Sequence, residues 1–192
     1  MLINENGMLK VVEINDALKQ FRNSYQGVWS DFDDDGDADL YVTNDFAPDV
    51  FLENETTPLS DVPKFSVATE KLVPNGGMGY GMGASWGDYD ADGKLDLYVS
   101  NMYSKAGNRI IQHLGEVDPR ISFSAKGNFL FRKKDGVFEQ VAGKKENDIH
   151  VSKVGWSFGG QFSDFNNDSH LDLYVPSGFY TSPAVSDTDK DL

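Results

Sequence analysis

The chain has 192 residues, 39% hydrophobic and 12% aromatic, which suits one globular domain with a substantial core and excludes a disordered segment. Its 31 acidic residues against 17 basic ones leave a net charge of −14, which argues against nucleic acid and anionic membrane as partners. Cysteine is absent, so disulfide staples and thiol catalysis are excluded, and no stretch approaches the roughly 18 apolar residues of a membrane span.

Taken in chain order, residues alternate with a period of two between turn signals, and little of the chain is helical in pattern. Two short strands at 2–5 and 8–14 flank Asn6-Gly7, a hairpin signal, and 16–24 reads as a short helix or turn. Strands are expected at about 27–31, 39–44, 49–53 and 64–68, then at 82–87 and 95–101. A short helix follows in the apolar spacing of 106–115 (AGNRIIQHLG), inside an insertion at 103–126. A pair at 128–133 and 136–141 surrounds Asp135-Gly136. Strands at 155–163 and 171–176 precede a loop-like tail.

The strands at 27–31 and 39–44 enclose the stretch that carries chemistry. Residues 30–44 read SDFDDDGDADLYVTN, with six aspartates in nine positions. Carboxylates that close repel unless a cation neutralises them. Asp31, Asp33 and Asp35 at positions 1, 3 and 5, Gly36 at 6 and Asp39 at 9 would wrap a loop around a hard, oxygen-seeking ion. Asp37 at position 7 would offer its backbone carbonyl. The pattern points to Ca²⁺; Mg²⁺ keeps its waters and seldom takes an all-protein cage. The motif recurs as GDYDADGKLDLYV, with Asp88, Asp90, Asp92, Gly93, Lys94 and Asp96, and as SDFNNDSHLDLYV, with Asp164, Asn166, Asp168, Ser169, His170 and Asp172. Lys94 and His170 occupy the backbone-carbonyl position. In the third copy serine replaces the turn glycine and Asn166 lowers the ligand charge. Two to three Ca²⁺ ions are expected, and three would bring the charge from −14 to −8. An EF-hand is excluded, because its position-12 glutamate is replaced by Val42, Val99 and Val175.

The first aspartates of the copies lie 57 and 76 residues apart, the longer gap holding the insertion. A repeat of about 60 residues with four short strands is one blade of a β-propeller. The expected fold is therefore all-β: a partial propeller of four-stranded blades, about three blades' worth, with Ca²⁺ loops between the first two strands of each blade. Residues 1–24 form an outer half-blade, 25–78 a blade, 79–148 a blade with the insertion, and 149–192 an inner half-blade and tail. Glycine-rich GGMGYGMGASWG suits close approach of backbones near a propeller axis.

ADLYVTNDFAPDVFLEN, WGDYDADGKLDLYVSNMYSKAGNRI, GNFLFRKKDGVFE and GWSFGGQFSDFNNDSHLDLYV resemble the FG-GAP/VCBS repeats of integrin-α-like propellers. More narrowly they resemble the cartilage acidic protein group, whose bacterial members carry an ASPIC/UnbV module. The family's propeller has about seven blades, and neither that module nor an EGF-like region has a counterpart here. The resemblance implies an extracytoplasmic, calcium-stabilised module for binding, adhesion or scaffolding, without catalysis. Its expected partners are other subunits, the rest of a longer propeller, or a glycan.

No export signal is visible in MLINENGMLKVVE, so a mature or excised piece is expected rather than a cytosolic protein, where free Ca²⁺ is too low for such loops. His113, His150 and His170 are scattered and read as structural or solvated. Arg109 reads as an ion-pair partner. Trp29, Trp86 and Trp156 read as a repeated core or inter-blade position. The sequons at Asn54 and Asn167 are common by chance. A part of a polysaccharide-active enzyme is the alternative, but every close carboxylate pair already sits in a metal loop.

Overall fold

In a computed structural model, residues 1–20, 22–58, 60, 62–74, 79, 81–103, 127–142 and 149–178 are described. The expected helix at 106–115 with Arg109 and His113, and the tail beyond 178, lie outside them.

The fold is all-β, a partial propeller. The hairpin of β1 (Leu2–Glu5) and β2 (Met8–Val11) leads through the single-turn α1 (Asp16–Lys19) to the first four-stranded sheet. That sheet runs β3 (Ser24–Ser30), β4 (Asp39–Asn44), β5 (Val50–Asn54), β6 (Phe65–Val67), each antiparallel to its neighbour. The single-turn α2 (Thr69–Leu72), which the sequence reading missed, connects to the second sheet. This comprises β7 (Gly83–Gly87), β8 (Asp96–Ser100), β9 (Phe129–Lys134) and β10 (Val137–Ala142), in that order. A two-stranded sheet follows, β11 (Gln161–Ser163) with β12 (Asp172–Tyr174).

The long strand expected at 155–163 is shorter. Gly155 and Gly159 take positive φ, which breaks the extended run. Upstream of β11 only isolated bridges form, Met102 with Trp156 and Ser157 with Ser177. Likewise β2 stops at Val11, short of the expected residue 14.

The second four-stranded sheet is packed on both faces, the first on one face and only partly on the other. Between the two sheets lie Phe32, Tyr41 and Phe51 from the first and Leu97, Val99, Phe129, Phe131 and Phe138 from the second, with Leu72 of α2. Phe51 and Phe138 stack at 5.1 Å, and Phe32 meets Phe51 edge-on at 5.3 Å. Tyr98 and Leu130 on the far face of the second sheet pack against Phe162 and Leu173. The outer face of the first sheet, with Val50, Leu52 and Phe65, is partly covered by Ala17 and Leu18 of α1.

The inner strands β3, β7 and β11 sit side by side. Gln26 Oε1 accepts the Ala84 N–H at 2.9 Å, and Ser85 Oγ accepts the Phe162 N–H at 3.3 Å. A Cβ on Gly83 would stand 2.8 Å from the Gly159 nitrogen, so glycine is required where these backbones meet.

The tryptophans divide. Trp86 lies in the core between the sheets, as expected. Trp29 is half exposed; among the described residues only α1 packs onto that face of the first sheet. Trp156 does not share their place: pairing puts Trp29 opposite Leu40, Trp86 opposite Leu97, and Phe162 opposite Leu173.

Candidate metal centres

The three acidic loops fold by one set of local bonds. The first aspartate of each accepts two backbone N–H groups, one per oxygen, from positions 5 and 6. Asp31 takes Asp35 and Gly36 at 3.1 and 3.0 Å, Asp88 takes Asp92 and Gly93 at 3.0 and 2.9 Å, and Asp164 takes Asp168 and Ser169 at 3.1 and 2.9 Å. The position-5 carboxylate accepts the N–H of position 7: Asp35 from Asp37, Asp92 from Lys94, Asp168 from His170. The position-9 carboxylate accepts the N–H of position 2, as Asp39 does from Phe32, Asp96 from Tyr89 and Asp172 from Phe165. Positions 4 and 6 are left-handed throughout: Asp34 and Gly36, Ala91 and Gly93, Asn167 and Ser169. The reading from sequence found only the second of these kinks.

This frame turns the remaining carboxylate oxygens inward. Ligand atoms of Asp31, Asp33 and Asp39 lie within 4.8 Å of one another, and so do those of Asp88, Asp90 and Asp96. Asp33 Oδ1 and Asp37 Oδ1 are buried without a hydrogen-bond partner. Burial pushes the Asp33 carboxyl above its ordinary value, with Asp39 and Asp35 adding repulsion. Asp37 is raised by burial and then by Asp35 and Asp33. Asp39 is raised by burial against the N–H groups of Asn54 and Phe32, and Asp96 is pushed up to about 6, chiefly by burial. Unpartnered, mutually repelling oxygens are what a cation would satisfy. The donor set fits a hard divalent ion: all oxygen, flexible in spacing, with no nitrogen or sulfur.

Of the predicted ligands, Asp31, Asp33, Asp39, Asp88, Asp90 and Asp96 are gathered. Asp35 and Asp92 line the same loops and hold the position-7 N–H. Asp37, expected to act through its backbone carbonyl, also has a carboxylate oxygen that is buried without a hydrogen-bond partner. Lys94 and His170 have exposed side chains and join the frame through their backbone N–H groups. In the third loop Asn166 turns its amide onto Asp168, donating from Nδ2 at 3.0 Å and accepting the Asp168 N–H at 2.9 Å.

Two residues were invisible to sequence reasoning. The Asn54 N–H reaches Asp39 Oδ1 at 2.8 Å and the Lys133 N–H reaches Asp96 Oδ1 at 2.9 Å, so the third strand of each blade locks the loop's last carboxylate. Lys133 also extends its ammonium to Asp34 Oδ2 at 2.5 Å, tying the second sheet to the first loop. The only sequence signal would have been their common place at or one residue before the end of the third strand.

No curated protein matches the chain. Residues 31–99, from the first carboxylate of the first loop to the end of the strand after the second loop, are similar to the family model of the FG-GAP-like repeat.

Proposed function

We propose that the chain is a calcium-binding, non-catalytic propeller segment whose loops hold Ca²⁺ to fix each blade's inner hairpin, and which serves binding, adhesion or assembly outside the cytoplasm. The observation that carries this is the convergence of three carboxylates in each of the first two loops, with unpartnered oxygens in the first. In the first loop Asp31, Asp33, Asp35 and Asp39 would hold the ion with Asp37. In the second, Asp88, Asp90, Asp92 and Asp96 would hold it with the Lys94 carbonyl. In the third, Asp164, Asn166, Asp168 and Asp172 would do so with the His170 carbonyl. The bound ion supplies positive charge that relieves repulsion among the carboxylates. The residues themselves do the rest: they shape the loop and set the strands on either side. The strings around NMYSKAGNRI support a place near the cartilage acidic protein group.

Thermal unfolding in millimolar Ca²⁺ and in excess EGTA tests the reading. Ligand linkage raises the melting temperature in Ca²⁺. Identical curves, with no heat of Ca²⁺ binding in calorimetry, refute it.

A further inference from the structure

The third strands of the two full blades place opposite charges at one position. Leu40 pairs with Leu52 in the first sheet and Leu97 with Phe131 in the second, so Leu52 and Phe131 correspond. The residues that follow them are Glu53 and Arg132. Next come Asn54 and Lys133, whose N–H groups hold Asp39 and Asp96 in the same way, as the correspondence requires. Glu53 and Arg132 therefore stand beside loops that share one backbone frame.

Each acts on the carboxylate at position 3 of its loop. Arg132 brings Nη1 to 3.7 Å from Asp90 Oδ2, a partly buried ion pair. Glu53 does the reverse to Asp33. Burial raises the Asp33 carboxyl above its ordinary value, and the charges of Asp39, Asp35 and Glu53 raise it further. Asp33 Oδ1 is buried without a hydrogen-bond partner, whereas among the described residues no carboxylate oxygen of the second loop is in that state.

The charges within the loops point the same way. The first loop carries six aspartates in its nine positions; the second carries four, with Lys94 at position 7 where the first has Asp37. Two lysines approach the first loop, and neither cancels the difference. Lys71 reaches Glu53 at 3.1 Å from a side chain 65% exposed, where water and salt screen it, while Glu53 is 25% exposed. Lys133 pairs with Asp34, which stands at position 4, is 73% exposed and is no ligand in the proposed cage. Arg132, by contrast, pairs with a proposed ligand. Its guanidinium stays charged at any physiological pH, and its contact with Asp90 is too long for a hydrogen bond, so it balances charge without being fastened.

We propose that Glu53 and Arg132 give the two loops different affinities for Ca²⁺. Glu53 makes the first loop the tight site, filled first. Arg132 makes the second the weak site: it is a resident counter-ion there, and must leave Asp90 before that carboxylate takes an ion. The result is a graded response to Ca²⁺. As the free ion falls the second loop empties first, and Arg132 then balances part of its charge, so the second blade depends less on the ion. The first loop, with unpartnered oxygens and Glu53 beside them, depends on it most. The inference rests on the calcium reading above and adds to it the order in which the loops fill.

A Ca²⁺ titration of the 192-residue chain followed by ¹H–¹⁵N NMR reads the two loops separately. Gly36 and Gly93 stand at position 6, each giving its N–H to the first aspartate of its loop, and the third loop has serine there. The Gly36 signal should reach its midpoint at about tenfold less free Ca²⁺ than the Gly93 signal. Arg132→Gln should lower the Gly93 midpoint on the order of three- to tenfold and leave Gly36 in place. Glu53→Gln, of the same shape, should raise the Gly36 midpoint by a like factor and leave Gly93 in place. Arg132→Lys keeps the charge and should keep the parent midpoints, which a purely structural role of the guanidinium would not. The same spectra show that a variant is folded, and Arg132→Met is a second neutral variant should the first unfold. Coincident midpoints in the parent chain, the reverse order, or a midpoint unmoved in either neutral variant overturns the proposal with Ca²⁺ binding intact. Glycine signals that respond to no Ca²⁺ overturn the calcium reading as well, so the two failures are distinguishable.

Discussion

The two four-stranded sheets and the terminal half-sheet contain the same loop, built by the same local bonds, in different surroundings. In the full blades Asp39 and Asp96 are buried, and each accepts a second N–H from the third strand. Asp172 is only half buried and, among the described residues, accepts one. The loop's shape is therefore a property of nine residues, while the burial and anchoring of its last carboxylate belong to the blade. An acidic loop of this type is local in geometry and non-local in stability.

That contrast is broken most directly at position 9. In millimolar Ca²⁺, Asp96→Ala leaves the Tyr89 and Lys133 N–H groups unpaired and removes a proposed Ca²⁺ ligand, for a loss of about 3–5 kcal/mol. Asp39→Ala should behave alike, and Asp172→Ala should lose only about 1 kcal/mol. Urea unfolding of the three variants measures the differences; an equal loss at Asp172 would mean that the third strand contributes nothing. The position-1 variants should rank the same way, Asp31→Ala and Asp88→Ala above Asp164→Ala.

Among the buried positions at which the two full blades differ, one polar pair sharpens the comparison. Asp49, before β5, accepts the Asn44 N–H and the Tyr41 hydroxyl, both at 2.7 Å. Asn128, before β9, accepts the Asn101 N–H at 2.8 Å and the Ser157 hydroxyl, and donates to the Val151 carbonyl at 3.0 Å. Burial raises the Asp49 pKa from 3.8 to about 7, against the two donors that lower it. Folding thus favours the protonated acid. The stability this brings is complete below the ordinary carboxyl pKa and is lost as pH rises through about 7. Asp49→Asn should remove this slope and, above pH 7, stabilise the protein on the order of 1–3 kcal/mol. Denaturant midpoints from pH 5 to pH 8.5 check it; a slope that persists in the variant assigns the effect to another group.

The smallest effect concerns the turn. Ser169 stands at φ 70°, where the other loops have Gly36 and Gly93. A side chain there is strained, so Ser169→Gly should stabilise by about 0.5–1 kcal/mol, and Gly93→Ala should destabilise by a similar amount or more. Opposite signs in thermal melts support the strain; equal signs would show that the serine side chain contributes more than its conformation costs.

The sequence by itself determined the loops, the order of their carboxylates and the two-residue alternation of the strands, because these depend on neighbours within nine residues or on which face of a strand a side chain takes. It also determined the hairpin turns, since Asn-Gly and Asp-Gly favour the positive φ that a tight connection needs. The tertiary structure alone decided which residues lock the loops. Nothing near Asp96 announces Lys133, 37 residues away, nor the reach of its ammonium to Asp34, 99 residues away. It also decided the fate of the tryptophans: Trp29 and Trp86 have the same local surroundings, yet one is half exposed and the other packed against four rings. A side chain's period assigns it to a face, but its burial depends on whether another sheet stands opposite, and only the assembled fold supplies that sheet.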